Sequence, residues 1–385
     1  MNVPKLRFKE FNDEWAKNYV GNVAGIYLGV TYTPDYVKSG KIFISSKDIS
    51  KGYLDLNDIK YISEDEYNKI STNAKPVKGD VLFTRVGSNL GNPTVIETNL
   101  PLTIFVSLGY LRVNKNLLDN YFIKYWMESN YFWQQVDSKV AGGAKQNLNI
   151  GWLSKFDIKF PKIVEQKKIA NTLELLDKKI ELQTKKIEDL KLFKKGINQK
   201  IFSKKGKMMN INEYIEEYTN KTIINNQYPI LSSTSNGIVV QNEYFNKQTA
   251  SLDNKGYKIV PRNYITYRSM SDTGEFHFNE QNKVDIGIVS PAYPVFKING
   301  INSNYFLNYI NESSDFKMQI MSIKEGGTRF ALSFNKFKNL KIKIVDNIET
   351  YGNLIECMNK YILIEKRKLV ELNKLKTALL QNMFV

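Results

Sequence analysis

A heptad pattern that occurs twice, interruptions included, constrains this chain more than any other feature. Alternating steps of three and four residues land on Leu173, Leu176, Ile180, Gln183, Ile187, Leu190, Lys194, Ile197 and Ile201. Adding 182 to each number gives Ile355, Met358, Ile362, Glu365, Leu369, Leu372, Lys376, Leu379 and Met383. Apolar residues at this spacing form the seam of a two-stranded coiled coil. Polar residues break both copies at the same places, Gln183 with Glu365 and Lys194 with Lys376. Unrelated amphipathic helices share the apolar rule but have no reason to share its flaws. The pattern therefore reads as one helix duplicated, at about residues 169–202 and 351–384, with two separate core helices as the alternative.

The globular stretches repeat as well. At an offset of 184, residues 120–129 (NYFIKYWMES) lie over residues 304–313 (NYFLNYINES), six of the ten being identical. Gly142-Gly143-Ala144-Lys145 answers Gly326-Gly327-Thr328-Arg329, and Leu148 answers Leu332. At an offset of 183, the run from Asp80 to Arg85 answers the run from Asn263 to Arg268. The first portions, before about residue 75 and from 210 to 255, match poorly. The order is thus domain, helix, domain, helix, with a shared scaffold and divergent fronts. Strand-like runs at Ile42–Ser45 and Val81–Arg85, broken by Gly, Asn and Pro, alternate with a helix expected at about Asp119–Val140, which makes the class α+β.

Charge narrows the partners. The chain carries a formal net charge of +16, which favours a polyanion. Residues 161–207 hold 14 lysines against 6 acids, half of that excess; a solvated helix face is the alternative to phosphate contact. One cysteine and one histidine leave no disulfide framework and argue against a structural zinc site. Cys357 is expected to pack at the border of the seam, and His277 to be structural. The opening MNVPKLRFKEF lacks the apolar core of a secretory signal, and the longest nearly apolar run, Leu102–Leu111, is too short to span a bilayer. A cytoplasmic location is the expectation.

Two similar domains joined by helices that pair antiparallel would sit at a fixed separation. About 34 residues at ~1.5 Å rise make a rod of roughly 50 Å. Two DNA-reading domains on one face of a duplex need a separation set by helical turns of ~34–36 Å. The divergent fronts suit two different half-sites.

The chain resembles the specificity subunits of type I restriction–modification systems. The resemblance rests on Pro4-Lys5-Leu6-Arg7-Phe8 with Trp15, and on the run from Lys78 to Gly87 (KGDVLFTRVG). It continues in the run from Gly142 to Asn149 (GGAKQNLN) and the run from Pro161 to Ile169 (PKIVEQKKI) leading into the basic helix. The second half departs from it: Pro261-Arg262-Asn263 replaces the Lys-Gly-Asp turn, and residues 346–350 lack the Glu-Gln helix start. The resemblance implies a first target recognition domain at residues 1–162 and a first spacer helix at 163–206. It implies a second recognition domain at 207–346 and a second spacer helix at 347–385. Each domain would read one half of a bipartite, asymmetric site in double-stranded DNA. It also implies two modification (methyltransferase) subunits and restriction (motor–nuclease) subunits as partners. Those partners would carry S-adenosylmethionine, ATP and magnesium; this chain is expected to bind none and to catalyse nothing. Consistent with that, no Asn-Pro-Pro-Tyr-like motif, glycine fingerprint or phosphate loop occurs. A nuclease reading would have to join Pro34-Asp35 to Glu165-Gln166-Lys167, about 130 residues away. A self-contained DNA-modifying enzyme and a coiled-coil adaptor without sequence preference are the two alternatives.

Base readout needs donors and acceptors on loop tips, and phosphate contact needs Lys, Arg or backbone N–H groups. The DNA-binding candidates in the first domain are Lys47, Arg85, Ser88, Asn89, Lys145, Gln146 and Asn147. Gly87, Gly91, Gly142 and Gly143 would let the backbone approach the duplex. In the second domain the candidates are Ser232, Ser233, Thr234, Ser235, Asn236, Arg268, Ser269, Lys324 and Arg329. The repeat-matched pairs Arg85/Arg268 and Lys145/Arg329 rank first. For each of these residues a solvated loop or turn side chain is the alternative.

Overall fold

The computed structural model describes residues 3–87, 90–139, 147–241, 253–323 and 329–385. The chain divides into two compact units, one of residues 1–184 with 368–385, the other of residues 185–367. Each long helix contributes to both units. The chain's helices include α1 (Asn120–Glu128), α2 (Ile163–Phe202), α3 (Ser303–Glu312) and α4 (Ile348–Asn382).

In the first unit a four-stranded antiparallel sheet runs in the order Ala24–Leu28, Leu108–Val113, Val81–Thr84, Gly91–Val95. A three-stranded sheet beside it pairs Lys41–Ile44 antiparallel with Lys60–Ile62 and parallel with Leu102–Ile104. The main core of this unit gathers Trp15, Phe122, Trp126, Phe132 and Phe156 with Leu173 of α2 and Phe384 at the end of the chain. The N-terminal arm is pinned into it. Arg7 donates to both carboxylate oxygens of Glu165, each at 2.8 Å, and Leu6 N–H caps the Asn382 carbonyl at 2.8 Å.

The second unit builds a four-stranded sheet in the order Ile215–Glu217, Val295–Ile298, Ile265–Thr266, Asn279–Glu280. Its aromatic core contains Tyr267, Phe278, Phe296, Phe316 and Phe337, closed by Ile201 and Phe202 of α2.

The duplication persists in local geometry. Asp119 caps α1 by accepting from Tyr121 N–H and Phe122 N–H, and Asn302 caps α3 by accepting from Asn304 N–H and Tyr305 N–H. These caps satisfy donors that every helix start leaves without a partner. The strand pair Ala16–Tyr19 with Asp157–Phe160 has its twin in Gly206–Asn210 with Lys341–Val345. The single helix expected over residues 119–140 is instead two, Asn120–Glu128 and Asn130–Lys139. Ser129 breaks it: its backbone is extended, and its hydroxyl donates to the Trp126 carbonyl at 2.6 Å. Ser and Asn offer the backbone such local alternatives to helix.

Along both long helices, all fourteen apolar seam residues are buried or half-buried, while most positions between them are exposed. The extremes are Leu173 and Ile355, with no exposed surface. Cys357, by contrast, is exposed rather than packed beside the seam. Two of the four polar seam residues, Lys376 and Glu365, form ion pairs. In the first unit Lys376 Nζ lies 2.6 Å from Asp177 and 2.7 Å from Glu128. In the second unit Glu365, 1% exposed, lies 3.3 Å from Lys186, and Lys204 lies 5.8 Å from the Tyr351 ring centre.

Candidate nucleic-acid interface

The strand Val81–Thr84 delivers Arg85 and Val86 to one edge of the first domain. There Val86 bridges to Asn147, and Arg85 O accepts from Leu148 N–H at 2.8 Å. Arg85 and Val86 therefore lie beside Asn147 and Leu148. Ser88, Asn89, Lys145 and Gln146, with Gly142 and Gly143, fall outside the described residues. Asn147 is exposed. Arg85 is half-buried: one guanidinium nitrogen reaches the Val106 carbonyl at 3.4 Å, and among the described residues its buried Nε has no partner. Gly87 has φ +117°, and among the described residues nothing stands within 4 Å of where its Cβ would be. Gly91 serves packing instead, because a Cβ there would stand 2.6 Å from the Trp133 ring. Lys47 is about half exposed in a short turn, its ammonium 3.1 Å from the Asp58 carbonyl and 3.5 Å from the Asp58 carboxylate.

The corresponding edge of the second domain is the pairing of Met270–Ser271 with Phe330–Ala331. Its hydrogen bonds correct the alignment of the halves. Leu332 N–H donates to Ser269 O as Leu148 N–H donates to Arg85 O, and Tyr264 N–H donates to Pro261 O as Asp80 N–H donates to Val77 O. Both equivalences run at 184. Gly79 and Asn263, the two left-handed turn residues (φ +94° and +67°), obey the same offset. Asn tolerates that conformation better than other residues with a Cβ. Arg85 thus corresponds to Ser269, not to Arg268, and a slip of one residue on a strand exchanges the faces. Arg268 is exposed where Arg85 is half-buried.

Ser269 donates to the Ala292 carbonyl at 2.7 Å, and Arg329 pairs with Asp272 at 3.0 Å in the open. Lys324 falls outside the described residues. The cluster at 232–236 is a β-hairpin, Leu231–Thr234 with Gly237–Val240. Ser233 is buried within it, accepting from Asn279 Nδ2 at 2.8 Å, and so cannot reach a ligand from outside. Ser232 accepts from Gln241 Nε2 at 2.8 Å, and Thr234 is spent on the turn, donating to Gly237 O at 2.9 Å. Only Ser235 and Asn236 stand exposed at the tip.

The motif residues behind the family resemblance are mostly anchors. Glu165 is 2% exposed and fully engaged by Arg7, with Trp15 Nε1 at 3.4 Å, which removes it from the nuclease reading. Gln166 accepts from Asp119 N–H and donates to the carbonyls of Leu117 and Pro161, all at 2.8 Å. A network the sequence reading passed over surrounds Asp177: Lys124 at 3.2 Å, Tyr125 Oη at 2.9 Å and Lys376 at 2.6 Å. Burial pushes the Asp177 carboxyl up, but the Lys124 and Lys376 ammonium groups outweigh it and hold the group below the usual carboxylate range. Burial likewise lowers Lys376, and the carboxylates of Glu128 and Asp177 carry it above its ordinary value. The only signal in the sequence was Lys376 itself, as a charge on an apolar seam. Among the described residues no group of three or more His, Cys, Asp and Glu could hold a metal ion, and no helix is long and apolar enough to cross a membrane.

Residues 12–192 match the model of the type I restriction modification DNA specificity domain. A putative type I restriction enzyme MjaX specificity subunit of Methanocaldococcus jannaschii is 25% identical over 209 residues, 53% of this chain and 49% of that relative. The type I restriction enzyme EcoBI specificity subunit of Escherichia coli is 25% identical over 170 residues, 43% of this chain and 35% of that relative. This chain thus spans about half or less of the length of these curated relatives. Among solved structures, the type I restriction–modification S subunit from M. genitalium superposes with a TM-score of 0.58 at 17% identity, covering 100% of this chain and 99% of that one. A chain from a study of complex assembly and conformational transition of the type I R-M system gives 0.56 at 13% identity, covering 95% and 96%. These two share the fold. Residues 12–192 are thus similar to type I restriction modification DNA specificity domains, and the chain as a whole shares the fold of the two solved structures.

Proposed function

We propose that this chain is the DNA specificity subunit of a type I restriction–modification complex. Its two recognition domains, residues 1–162 and 207–346, read the two parts of a bipartite, asymmetric site in double-stranded DNA. The helices at 163–206 and 347–385 pair as an antiparallel coiled coil and set the gap between those parts. The chain directs methylation by two modification subunits and cleavage by restriction subunits. S-adenosylmethionine, ATP and magnesium belong to those partners, none is bound by this chain, and the complex works in the cytoplasm.

The observation that carries the reading is the family match in the first half, joined to a second half that repeats its caps, strand pairs and edge hydrogen bonds. Antiparallel pairing is supported within the second unit, where Lys186 meets Glu365 and Lys204 meets Tyr351, so that one number falls as the other rises. Partner docking on the helices is supported by large apolar side chains left exposed there: Leu175 and Leu182 in the first unit, Leu192 and Phe193 in the second. The proposed DNA contacts are Ser88, Asn89, Lys145, Gln146 and Asn147, and in the second half Ser235, Asn236, Arg268, Lys324 and Arg329.

The test is selection from a random duplex library by the purified complex of this chain with a modification subunit. Two short conserved blocks separated by a constant unread gap are expected. Retention that depends on salt but not on sequence would favour the adaptor reading, and methylation by the chain alone would favour the enzyme reading.

A further inference from the structure

The most exposed large apolar side chain of the described residues is Ile223, 74% accessible, and its neighbour Ile224 is 63% accessible. Two adjacent isoleucines in water are unfavourable unless something covers them. Their loop is not loose. Asn254, 1% exposed, clamps it from behind. Its side chain accepts from Asn226 N–H and donates to Asn226 Oδ1, both at 2.7 Å, while its N–H donates to Asn225 Oδ1 at 2.9 Å. Thr222 Oγ1 donates to the Asn254 carbonyl at 2.8 Å, and Ile223 N–H donates to Gln227 Oε1 at 3.0 Å. Asn226 takes a left-handed conformation, φ +56°, to close the turn. Rigid polar side chains thus hold an apolar tip outward, so little ordering remains to be done when it is covered.

Two observations identify the occupant. The loop is rimmed by Lys221 and Lys255, both exposed and neither in an ion pair among the described residues, which suits a polyanion. It also lies in the 210–255 stretch, which matches the first half poorly. A partner present in two identical copies must dock on surfaces that the duplication supplies twice. An element that occurs once belongs to whatever differs between the halves, and in the reading above that is the half-site sequence.

We infer that Ile223 and Ile224 form an apolar base-contacting tip of the second recognition domain, packing against a thymine 5-methyl group in the second half-site. The inference rests on the specificity-subunit reading. Thymine is the one base whose major-groove edge offers a methyl group to an apolar side chain.

The test uses the full chain in complex with a modification subunit and duplexes carrying the selected site, with each thymine of both half-sites replaced in turn by deoxyuridine, which lacks the methyl. Removing the contacted methyl is expected to weaken binding by the wild-type complex about fourfold, the worth of one buried methyl group. The I223S/I224S variant, whose changes are exposed and leave the fold intact, is expected to lose a similar factor on the unmodified site. It is also expected to become indifferent to that one deoxyuridine, while its response to substitutions in the first half-site stays as in the wild type. The inference is overturned if the variant responds to every deoxyuridine as the wild type does, or if it loses affinity equally for selected and scrambled DNA. Absence of any split site for the wild type would remove the underlying reading as well; a split site with an indifferent tip would remove only this inference.

Discussion

Lys376 stands where a heptad seam calls for an apolar side chain, and its ammonium lies between the carboxylates of Glu128 and Asp177. Its repeat twin is Lys194, and the twin of Asp177 is Asn359. Burial lowers Lys194, with Glu312 opposing that shift, so the duplicated position keeps its lysine but has exchanged the central acid for an amide. Lys376→Met is expected to destabilise the fold by about 1–3 kcal/mol, because it leaves two half-buried carboxylates short of a cation. The pH dependence follows from the directions of the shifts. The depressed Asp177 contributes stability above its ordinary pKa of 3.8, lost as pH falls through its folded value; the raised Lys376 contributes stability below its ordinary 10.5, lost as pH rises through its own. Denaturant unfolding of wild type and variant at a series of pH values should therefore show the largest gap between pH ~5 and ~9, closing on acidification below ~4. A gap that stays constant into acid would contradict the network. Conversely, Asn359→Asp should restore an acid for Lys194 and stabilise by about 0.5–1 kcal/mol at low salt, less at high salt. An unchanged or lowered midpoint would mean the two sites are not equivalent. None of this network beyond Lys376 was legible in the sequence, because Lys124, Glu128 and Asp177 meet only through tertiary contact.

At the level of elements, the long helices were the most legible part of the chain, since a heptad repeat over some thirty residues specifies both periodicity and buried face. α2 and α4 run Ile163–Phe202 and Ile348–Asn382, and every apolar seam position is at least half-buried. Leu176 is 8% exposed, so Leu176→Asp would bury an unpaired carboxylate at a cost of several kcal/mol, roughly, by the desolvation of a charged group. Loss of folded protein, or of a fixed gap between half-sites, is expected by circular dichroism and by DNA selection; normal bipartite binding would contradict the seam. The break at Ser129 was not legible, because a helical run of aromatics gives no sign that one serine hydroxyl turns back onto the Trp126 carbonyl. The one-residue error in matching Arg85 to Arg268 has a related cause. Identical residue types attract an alignment, whereas the hydrogen-bond ladder that fixes the true offset depends on partners more than 60 residues away. Among the candidate contacts Asn147 and Asn236 are exposed, whereas residue type alone could not tell that Ser233 faces inward.

For the whole molecule, duplication with divergence is the organising fact. Scaffold elements recur in both halves: the capped helices α1 and α3, the strand pairs that bracket each domain, and the seam. The fronts do not recur, and that is where a three-stranded sheet in one half gives way to the hairpin and the asparagine-clamped loop in the other. A shared frame with different faces suits one job done on two different sequences. Methylation mapping by long-read sequencing, in cells carrying a cognate modification subunit with and without this chain, tests that claim most directly. The account predicts that one split motif, two unlike half-sites with a constant gap, gains adenine methylation only when the chain is present. A motif without a gap, or no new motif while the chain and its partner form a stable complex, would contradict it.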